Sequence, residues 1–95
     1  PVVVSSALDT AIGLSMGVAL AAALPELDYD CGLGTSALFE TDVAVLEQNA
    51  GSIGVGRIRP DADAIERLAA APERRDWWLA RLERCLAVLS EREHR

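Results

Sequence analysis

The sequence predicts an α/β fold with parallel strands, and three consecutive segments indicate it. Residues 1–6 contain three consecutive valines, a composition typical of a strand that is buried on both faces. Residues 9–24 are almost wholly apolar and predict a buried helix, while residues 29–32 predict a second strand that ends in a glycine turn. A strand, a crossover helix and a second strand form a βαβ unit, which needs a parallel sheet with further strands. We therefore expect the chain to be a piece of a larger structure.

The predicted crossover helix carries signals at both ends and on one face. Asp9 is expected to be its N-cap or a first-turn acid, where a carboxylate meets the positive end of the helix dipole. Gly13 and Gly17 lie one turn apart, and two glycines on one face predict close approach of another backbone. Pro25 is expected to end the helix.

The region after Thr35 predicts a tail of short elements. Residues 36–40 predict a helical turn, residues 43–46 a short extended piece, and residues 49–51 a turn. Residues 53–58 alternate in polarity and predict a strand relieved by glycines.

Two helices are predicted to complete the tail. The first covers about residues 62–71 after the Pro60–Asp61 cap, and the second begins at Pro72 and runs to about Arg92. The inner face of the first is expected to hold Ile65, Leu68 and Ala69. The apolar stripe of the second is expected to hold Trp78, Leu82, Cys85, Leu86 and Leu89, with Leu79 beside it. Trp78 is expected to pack beneath this helix with Trp77 at its rim, and a peptide groove is the alternative.

Composition and charge exclude several classes of function. The chain has 95 residues and a net charge of −6, which argues against non-specific binding to nucleic acid or to an anionic membrane. All nine basic residues are arginine, so lysine chemistry is excluded from this stretch. Cys31 and Cys85 make no CxxC site and are expected to be reduced, partly buried thiols of a cytoplasmic protein. No signal peptide is visible, and the apolar stretch is too short to cross a bilayer comfortably.

The best candidate site lies where the two predicted strands end. Ser5 and Ser6 follow the first strand, and Gly32, Leu33 and Gly34 follow the second. Parallel strands bind ligands at their carboxyl ends, and free backbone N–H groups there, including those at the start of the crossover helix, suit an anion. The alternative is that the serines only satisfy the helix start and the glycines only make a turn. No catalytic constellation or metal-ligand pattern is visible, and His94 is expected to play no catalytic role.

Several motifs together resemble a known family. They are VVVSSALDT at residues 2–10, AAALPEL at 21–27, CGLGTSALF at 31–39, VGR at 55–57, PD at 60–61 and ERRDWW at 73–78. In this combination the chain resembles the C-terminal segment of o-succinylbenzoate synthases, enolase-superfamily enzymes of menaquinone biosynthesis, in their actinobacterial form.

The resemblance implies a fold, and it implies which functional groups lie in this segment and which lie elsewhere in the enzyme. The chain is expected to be one segment of a modified (β/α)₈ barrel, with residues 1–35 as the seventh strand, seventh helix and eighth strand and residues 36–95 as a tail. The family dehydrates a cyclohexadiene carboxylate to o-succinylbenzoate, using lysines and Mg²⁺ that are expected upstream, so this segment would hold no catalytic residue and no metal ligand. Ser5, Ser6, Gly32, Leu33 and Gly34 resemble positions that hold the succinyl carboxylate of the substrate.

The resemblance also implies partners and leaves alternatives. The expected partners are a small-molecule substrate with a succinyl carboxylate and the remainder of the barrel with its capping domain, but neither nucleic acid nor a membrane. N-succinylamino acid racemases of the same superfamily use a similar pocket and are one alternative. A non-catalytic helical module that oligomerises through the stripe between Trp78 and Leu89 is another.

Overall fold

A computed structural model describes residues 1–94. Its elements, in chain order, are helix α1 (Ala11–Ala23), a 3₁₀ turn (Thr35–Leu38), strands β1 (Gln48–Asn49) and β2 (Ser52–Ile53), and helices α2 (Ala62–Arg67) and α3 (Pro72–Glu93).

The predicted βαβ crossover is present in reduced form. Ser5 and Gly32 form an isolated parallel bridge, with α1 between them in the chain. The Ser6 N–H donates to the Gly32 carbonyl over 2.9 Å, and the Gly32 N–H donates to the Val4 carbonyl over 2.9 Å. The predicted parallel pairing and the crossover helix are therefore confirmed.

The prediction of a buried first strand is wrong for the described residues. Val2 and Val3 are 52% and 50% exposed. The pairing through Ser5 covers one edge of this segment only, and α1 reaches only Val4, which is half-buried. A strand of a parallel sheet needs cover on both faces, and residues 1–94 supply it on neither side of Val2.

A small core forms between α1 and the segment after the second strand. Its buried members are Leu14, Val18, Ala21 and Leu33, with Val4, Cys31, Leu46 and Ile53 packed around them. A Cβ added to Gly17 would lie 2.9 Å from Leu33 Cδ2, so glycine is needed for this contact. The predicted close approach at Gly17 is confirmed, whereas the three atoms nearest to a Cβ at Gly13 all belong to the side chain of Asp9.

The prediction is correct for the C-terminal end of α1 but not for its N-terminal end. The helix ends at Ala23, and Leu24 is extended before Pro25, which agrees with the expected stop. At the other end the N-cap is Thr10, and its side chain makes no capping bond. Asp9 lies before the helix and accepts a hydrogen bond from the Ala7 N–H over 3.2 Å, so its predicted capping role is wrong.

The tail contains a tight hairpin but little sheet. Gln48 pairs with Ile53 and Asn49 with Ser52, which leaves a two-residue turn. The turn residues Ala50 and Gly51 have φ values of 51° and 81°, as in a type I′ turn, so the predicted turn is confirmed. A strand is predicted over residues 53–58, but the observed strand β2 ends at Ile53. The residues beyond Ile53 have no partner strand among residues 1–94.

The two tail helices form, but their predicted inner faces do not pack. α2 begins after Asp61, whose side chain accepts from the Asp63 N–H over 3.1 Å, which confirms this cap. Its buried residue is Ala64, whereas Ile65 and Leu68 are 47% and 44% exposed, so the predicted inner face is wrong. α2 ends at Arg67, earlier than expected.

Helix α3 begins at Pro72 as predicted and is exposed along its whole length. Trp78 and Trp77 are 51% and 45% exposed, so the predicted packing of Trp78 beneath the helix is wrong. The two rings contact each other edge to face with centroids 4.8 Å apart, and the Arg74 guanidinium lies 4.7 Å from the Trp77 ring centroid. Within residues 1–94 no other element covers the apolar stripe of this helix.

The dimensions of the molecule are those of an open structure. Its accessible surface is 7893 Å², whereas a self-standing domain of this mass exposes about 5300 Å². Its radius of gyration is 16.4 Å, compared with about 12 Å for a compact chain of this length. Residues 1–94 therefore present much of their apolar surface to the outside.

Candidate substrate-carboxylate site

The structure brings the two predicted strand ends together. The Ser5–Gly32 bridge places Ser5 and Ser6 beside Gly32, Leu33 and Gly34. A Cβ added to Gly32 would lie 3.2 Å from Ser5 Oγ, so glycine allows this close pairing. The residues predicted from sequence therefore share one edge of the molecule, which is the geometry that a common site requires.

Two hydroxyl groups and two carbonyl groups connect the two strand ends. Thr35 Oγ1 donates to the Ala7 carbonyl over 2.6 Å and lies 2.8 Å from Ser6 Oγ. Ser6 Oγ also donates to the Gly32 carbonyl over 3.1 Å. The two hydroxyls have two protons for these three contacts, so two of the contacts are hydrogen bonds at any moment and both protons stay inside the cluster. We call this cluster the Ser6–Thr35 latch. The latch fixes the separation of the two strand ends.

The backbone N–H groups divide into two sets. Those of Ser6 and Gly32 pair the two strands and are not free for a ligand. Leu33 is 6% exposed as a whole residue and belongs to the core, so it presents little surface to a ligand. Gly34 faces open space, because a Cβ placed there would meet no atom within 4 Å. A ligand at this strand end would therefore meet Gly34 rather than Leu33.

The first N–H group of α1 is not free, whereas we expected free N–H groups at the helix start. The Ala11 N–H donates to both carboxylate oxygens of Asp42, over 3.1 and 3.0 Å. Asp42 is half-buried and comes from the tail, 31 residues along the chain. A carboxylate of the chain itself thus occupies the end of the helix dipole that we expected to face a ligand.

Sequence reasoning missed two residues of this region, Thr35 and Asp42. Thr35 directly follows the glycine turn, and a hydroxyl at that position is a recognisable signal for a local hydrogen bond. Asp42 offered no signal, because its partner lies on a distant element and acids in loops are commonly solvated.

Metal-ligating and thiol groups are dispersed in the described chain. Residues 1–94 contain no group of three or more His, Cys, Asp or Glu side chains that are close enough to hold a metal ion. Both cysteines are free; Cys31 is half-buried and its Sγ accepts from the Val4 N–H over 3.4 Å, as expected for a packed thiol. Cys85 is exposed, so the expected partial burial is wrong there.

Over residues 1–94, every helix is either too short or too polar to cross a bilayer.

Comparison with known proteins gives relatives under one name. The chain is 51% identical over 90 residues to the o-succinylbenzoate synthase of Mycobacterium tuberculosis (strain ATCC 25618 / H37Rv), covering 94% of this chain and 28% of the relative. The identity to the synthase of Mycobacterium leprae (strain TN) is 49%, covering 94% of this chain and 27% of the relative. The identity to that of Mycobacterium ulcerans (strain Agy99) is 46%, covering 97% of this chain and 28% of the relative. No family model matches the chain.

The match is extensive on this chain and partial on the relatives. The chain spans about 28% of the length of the curated relatives that it matches. Identity near one half over 94% of the chain far exceeds what shared composition produces. Over almost its whole length, the chain is therefore similar to a segment of o-succinylbenzoate synthases.

Proposed function

We propose that this chain is the C-terminal segment of an o-succinylbenzoate synthase and acts only within the longer enzyme. The observation that carries the proposal is the identity of 51% across 94% of the chain. The proposed reaction is dehydration of 2-succinyl-6-hydroxy-2,4-cyclohexadiene-1-carboxylate to o-succinylbenzoate in cytoplasmic menaquinone biosynthesis. The chain has no lysine, so the groups that move protons are proposed to lie outside it.

The proposed task of the segment is to hold the succinyl carboxylate of the substrate. The paired strand ends support it, because Gly34 directly precedes Thr35 of the latch and faces open space. Oriented N–H groups bind a carboxylate without adding a charged side chain. We propose that Ser5, Ser6 and Gly32 shape this site rather than donate to the ligand, since the Ser6 and Gly32 N–H groups pair the strands.

Mg²⁺ does not fit among the described residues, because residues 1–94 bring no three candidate ligands together. Its ligands would come from the remainder of the proposed enzyme, where the ion would supply Lewis-acid stabilisation of negative charge.

The proposed architecture is a (β/α)₈ barrel in which residues 1–6 are the seventh strand and residues 29–32 the eighth. The parallel bridge between Ser5 and Gly32 supports this assignment. The half-exposed Val2 and Val3 side chains would then be covered by neighbouring strands of the barrel.

A substitution at Gly34 tests the carboxylate site with little risk to the fold. Gly34 has a φ of −102°, which alanine tolerates, and its Cβ would meet no protein atom within 4 Å. We expect Gly34→Ala in the full-length protein to raise the KM for the cyclohexadiene substrate about tenfold, because the methyl group would stand where the ligand approaches. Gly54→Ala is the matched control, since its Cβ also meets open space.

The proposal is supported if the full-length, Mg²⁺-loaded wild type dehydrates the cyclohexadiene substrate and the Gly54→Ala variant has the wild-type KM. An unchanged KM in Gly34→Ala would contradict the proposed carboxylate site. Absence of dehydration by the full-length wild type would contradict the proposed reaction. Racemisation of N-succinylamino acids in the same assay, without dehydration, would establish the racemase alternative. Dehydration by the purified 95-residue chain alone would overturn the claim that it acts only within a longer enzyme.

The exposed stripe of α3 favours one further candidate, a helical module that oligomerises. Intact mass and thermal melting of the 95-residue chain separate the two candidates. A cooperative transition of a discrete oligomer supports the module, whereas its absence supports the enzyme segment.

A further inference from the structure

The N-terminus of α1 lacks a cap from its own sequence. The Thr10 side chain makes no capping bond, and the first turn contains no acidic residue. A helix start leaves N–H groups without partners inside the helix, and these are normally satisfied by a nearby side chain or by a ligand. The start of α1 therefore depends on a group supplied from elsewhere.

Asp42 supplies that group from the tail. Its two oxygens lie 3.1 and 3.0 Å from the Ala11 nitrogen, and its Oδ1 also accepts from the Val43 N–H over 2.7 Å. The Val43 carbonyl in turn accepts from the Asp61 N–H over 2.7 Å, and Asp61 caps α2. The carboxylate is thus held on its own side by the tail and is not a mobile surface acid.

The Asp42 contact lies at one end of the loop that the latch holds at the other. Ala7 follows Ser6, and its carbonyl accepts from Thr35 Oγ1. Ala11 opens α1, and its N–H is bound by Asp42. The four residues between 6 and 11 are therefore fixed at both ends, so a shift of α1 would be passed to Ser6 and to the proposed carboxylate site.

The charge of Asp42 has a second consequence. A carboxylate at the helix start neutralises part of the helix dipole and repels a second anion there. Occupation of the Ala11 N–H, which an amide oxygen at position 42 would also provide, is by itself enough to keep a substrate carboxylate away from that group.

We propose that Asp42 is a positioning residue, which occupies the start of α1 in place of a ligand anion and fixes the loop that carries Ser6 beside the substrate carboxylate. This inference rests on the proposed function. It adds to that function a residue of the tail that touches neither the substrate nor its proposed donors.

The test uses the full-length protein with three variants. Asp42→Ala removes the cap, Asp42→Asn keeps an oxygen that accepts from the Ala11 N–H, and Glu40→Gln removes one exposed acid nearby as the control. We expect Asp42→Ala to raise the substrate KM about fivefold with kcat within about twofold, because a displaced loop loses binding that ground and transition states share. Asp42→Asn and Glu40→Gln should keep the wild-type KM within about twofold.

Acetate provides a second readout that a general loss of stability would not move. It is small enough to replace the missing carboxylate. It should therefore lower the KM of Asp42→Ala, in a saturable way, relative to the wild-type KM at the same acetate concentration, which controls for competition at the proposed carboxylate site. A wild-type KM in Asp42→Ala, a failure of Asp42→Asn to restore it, or an absence of acetate rescue would each overturn the positioning role.

Hydrogen exchange separates failure of this inference from failure of the proposed function. The Ala11 amide should exchange faster in Asp42→Ala than in wild type or Asp42→Asn. If the wild type shows this exchange pattern but does not dehydrate the substrate, the proposed reaction and the positioning role are wrong, and the Asp42 cap is still supported. If the wild type is active but the Ala11 amide exchanges equally fast in all variants, the Asp42 cap is wrong and the proposed reaction is still supported.

Discussion

At the residue scale, the region is organised by a few polar contacts and one close approach. Thr35 and Ser6 hold the two strand ends, and Asp42 holds the start of α1. Gly17 lets Leu33 pack directly on the helix backbone. Each contact joins residues that are distant in sequence, so a single substitution should act on both partners.

The latch predicts the effect of removing one hydroxyl. Thr35→Val keeps the shape of the side chain but removes the donor to the Ala7 carbonyl and the partner of Ser6 Oγ. We expect a loss of about 1–2 kcal/mol in the free energy of unfolding, together with a raised KM in the full-length protein. Ser36→Ala is the control at the next position. Equal unfolding midpoints for Thr35→Val and wild type in urea would contradict the latch.

The contact at Gly17 predicts a steric effect. Gly17→Val would place branched carbons where a Cβ alone lies 2.9 Å from Leu33 Cδ2. We expect a destabilisation of about 2–3 kcal/mol from overpacking. Ala19→Val controls for the cost of a β-branched residue in a helix, about 0.5 kcal/mol, because Ala19 is exposed on the same helix. Thermal unfolding of both variants gives the comparison, and equal melting temperatures would argue against the packing.

At the element scale, short pieces form where a local signal is strong and stop where a partner is needed. α2 forms after the Asp61 cap, and the hairpin forms around Ala50 and Gly51. The strand predicted after Ile53 does not form, because a strand needs a neighbour for its backbone groups.

The hairpin predicts a stabilising substitution. Ala50 has a φ of 51°, a left-handed conformation that asparagine adopts more easily than alanine. We expect Ala50→Asn to stabilise the hairpin by about 0.5–1 kcal/mol and to slow amide exchange in residues 48–53. Gly51→Ala should have the opposite effect, since its φ is 81°. Faster exchange in Ala50→Asn would show that the turn is not the determinant.

At the scale of the whole molecule, the accessible surface and the radius of gyration describe a segment that does not enclose its own apolar residues. Its fully buried side chain of largest volume is Leu14, and the stripe of α3 is open. A large exposed apolar surface is typical of a region that contacts another part of a protein.

This surface predicts the behaviour of the isolated chain. We expect the 95-residue polypeptide to bind a dye such as ANS strongly and to melt without a cooperative transition, because its core is too small to offset the chain entropy. The full-length protein is the control and should melt cooperatively with little dye binding. A sharp, monomeric transition of the short chain would contradict this expectation.

The stripe of α3 predicts a difference between the two contexts. Leu82→Glu should lower the melting temperature of the full-length protein by several degrees, about 1–3 kcal/mol, because we expect the remaining protein to cover this face. Ala80→Glu, on the opposite face of the helix, is the matched control. Equal melting temperatures for the two variants would show that the stripe stays open.

Sequence alone predicts the crossover helix with its stop at Pro25, the Asp61 cap, the Asn49–Gly51 turn, the long last helix and the resemblance to one enzyme family. These features depend on local signals or on residue identity, which a single chain carries. The three-dimensional arrangement was needed to show that Asp42 caps α1, that the Ser6–Thr35 latch uses its hydroxyl protons internally, and that the inner faces of α2 and α3 lie exposed. A hydrogen bond between distant residues, and the burial of any apolar face, depend on which elements meet in space, and no local pattern specifies that.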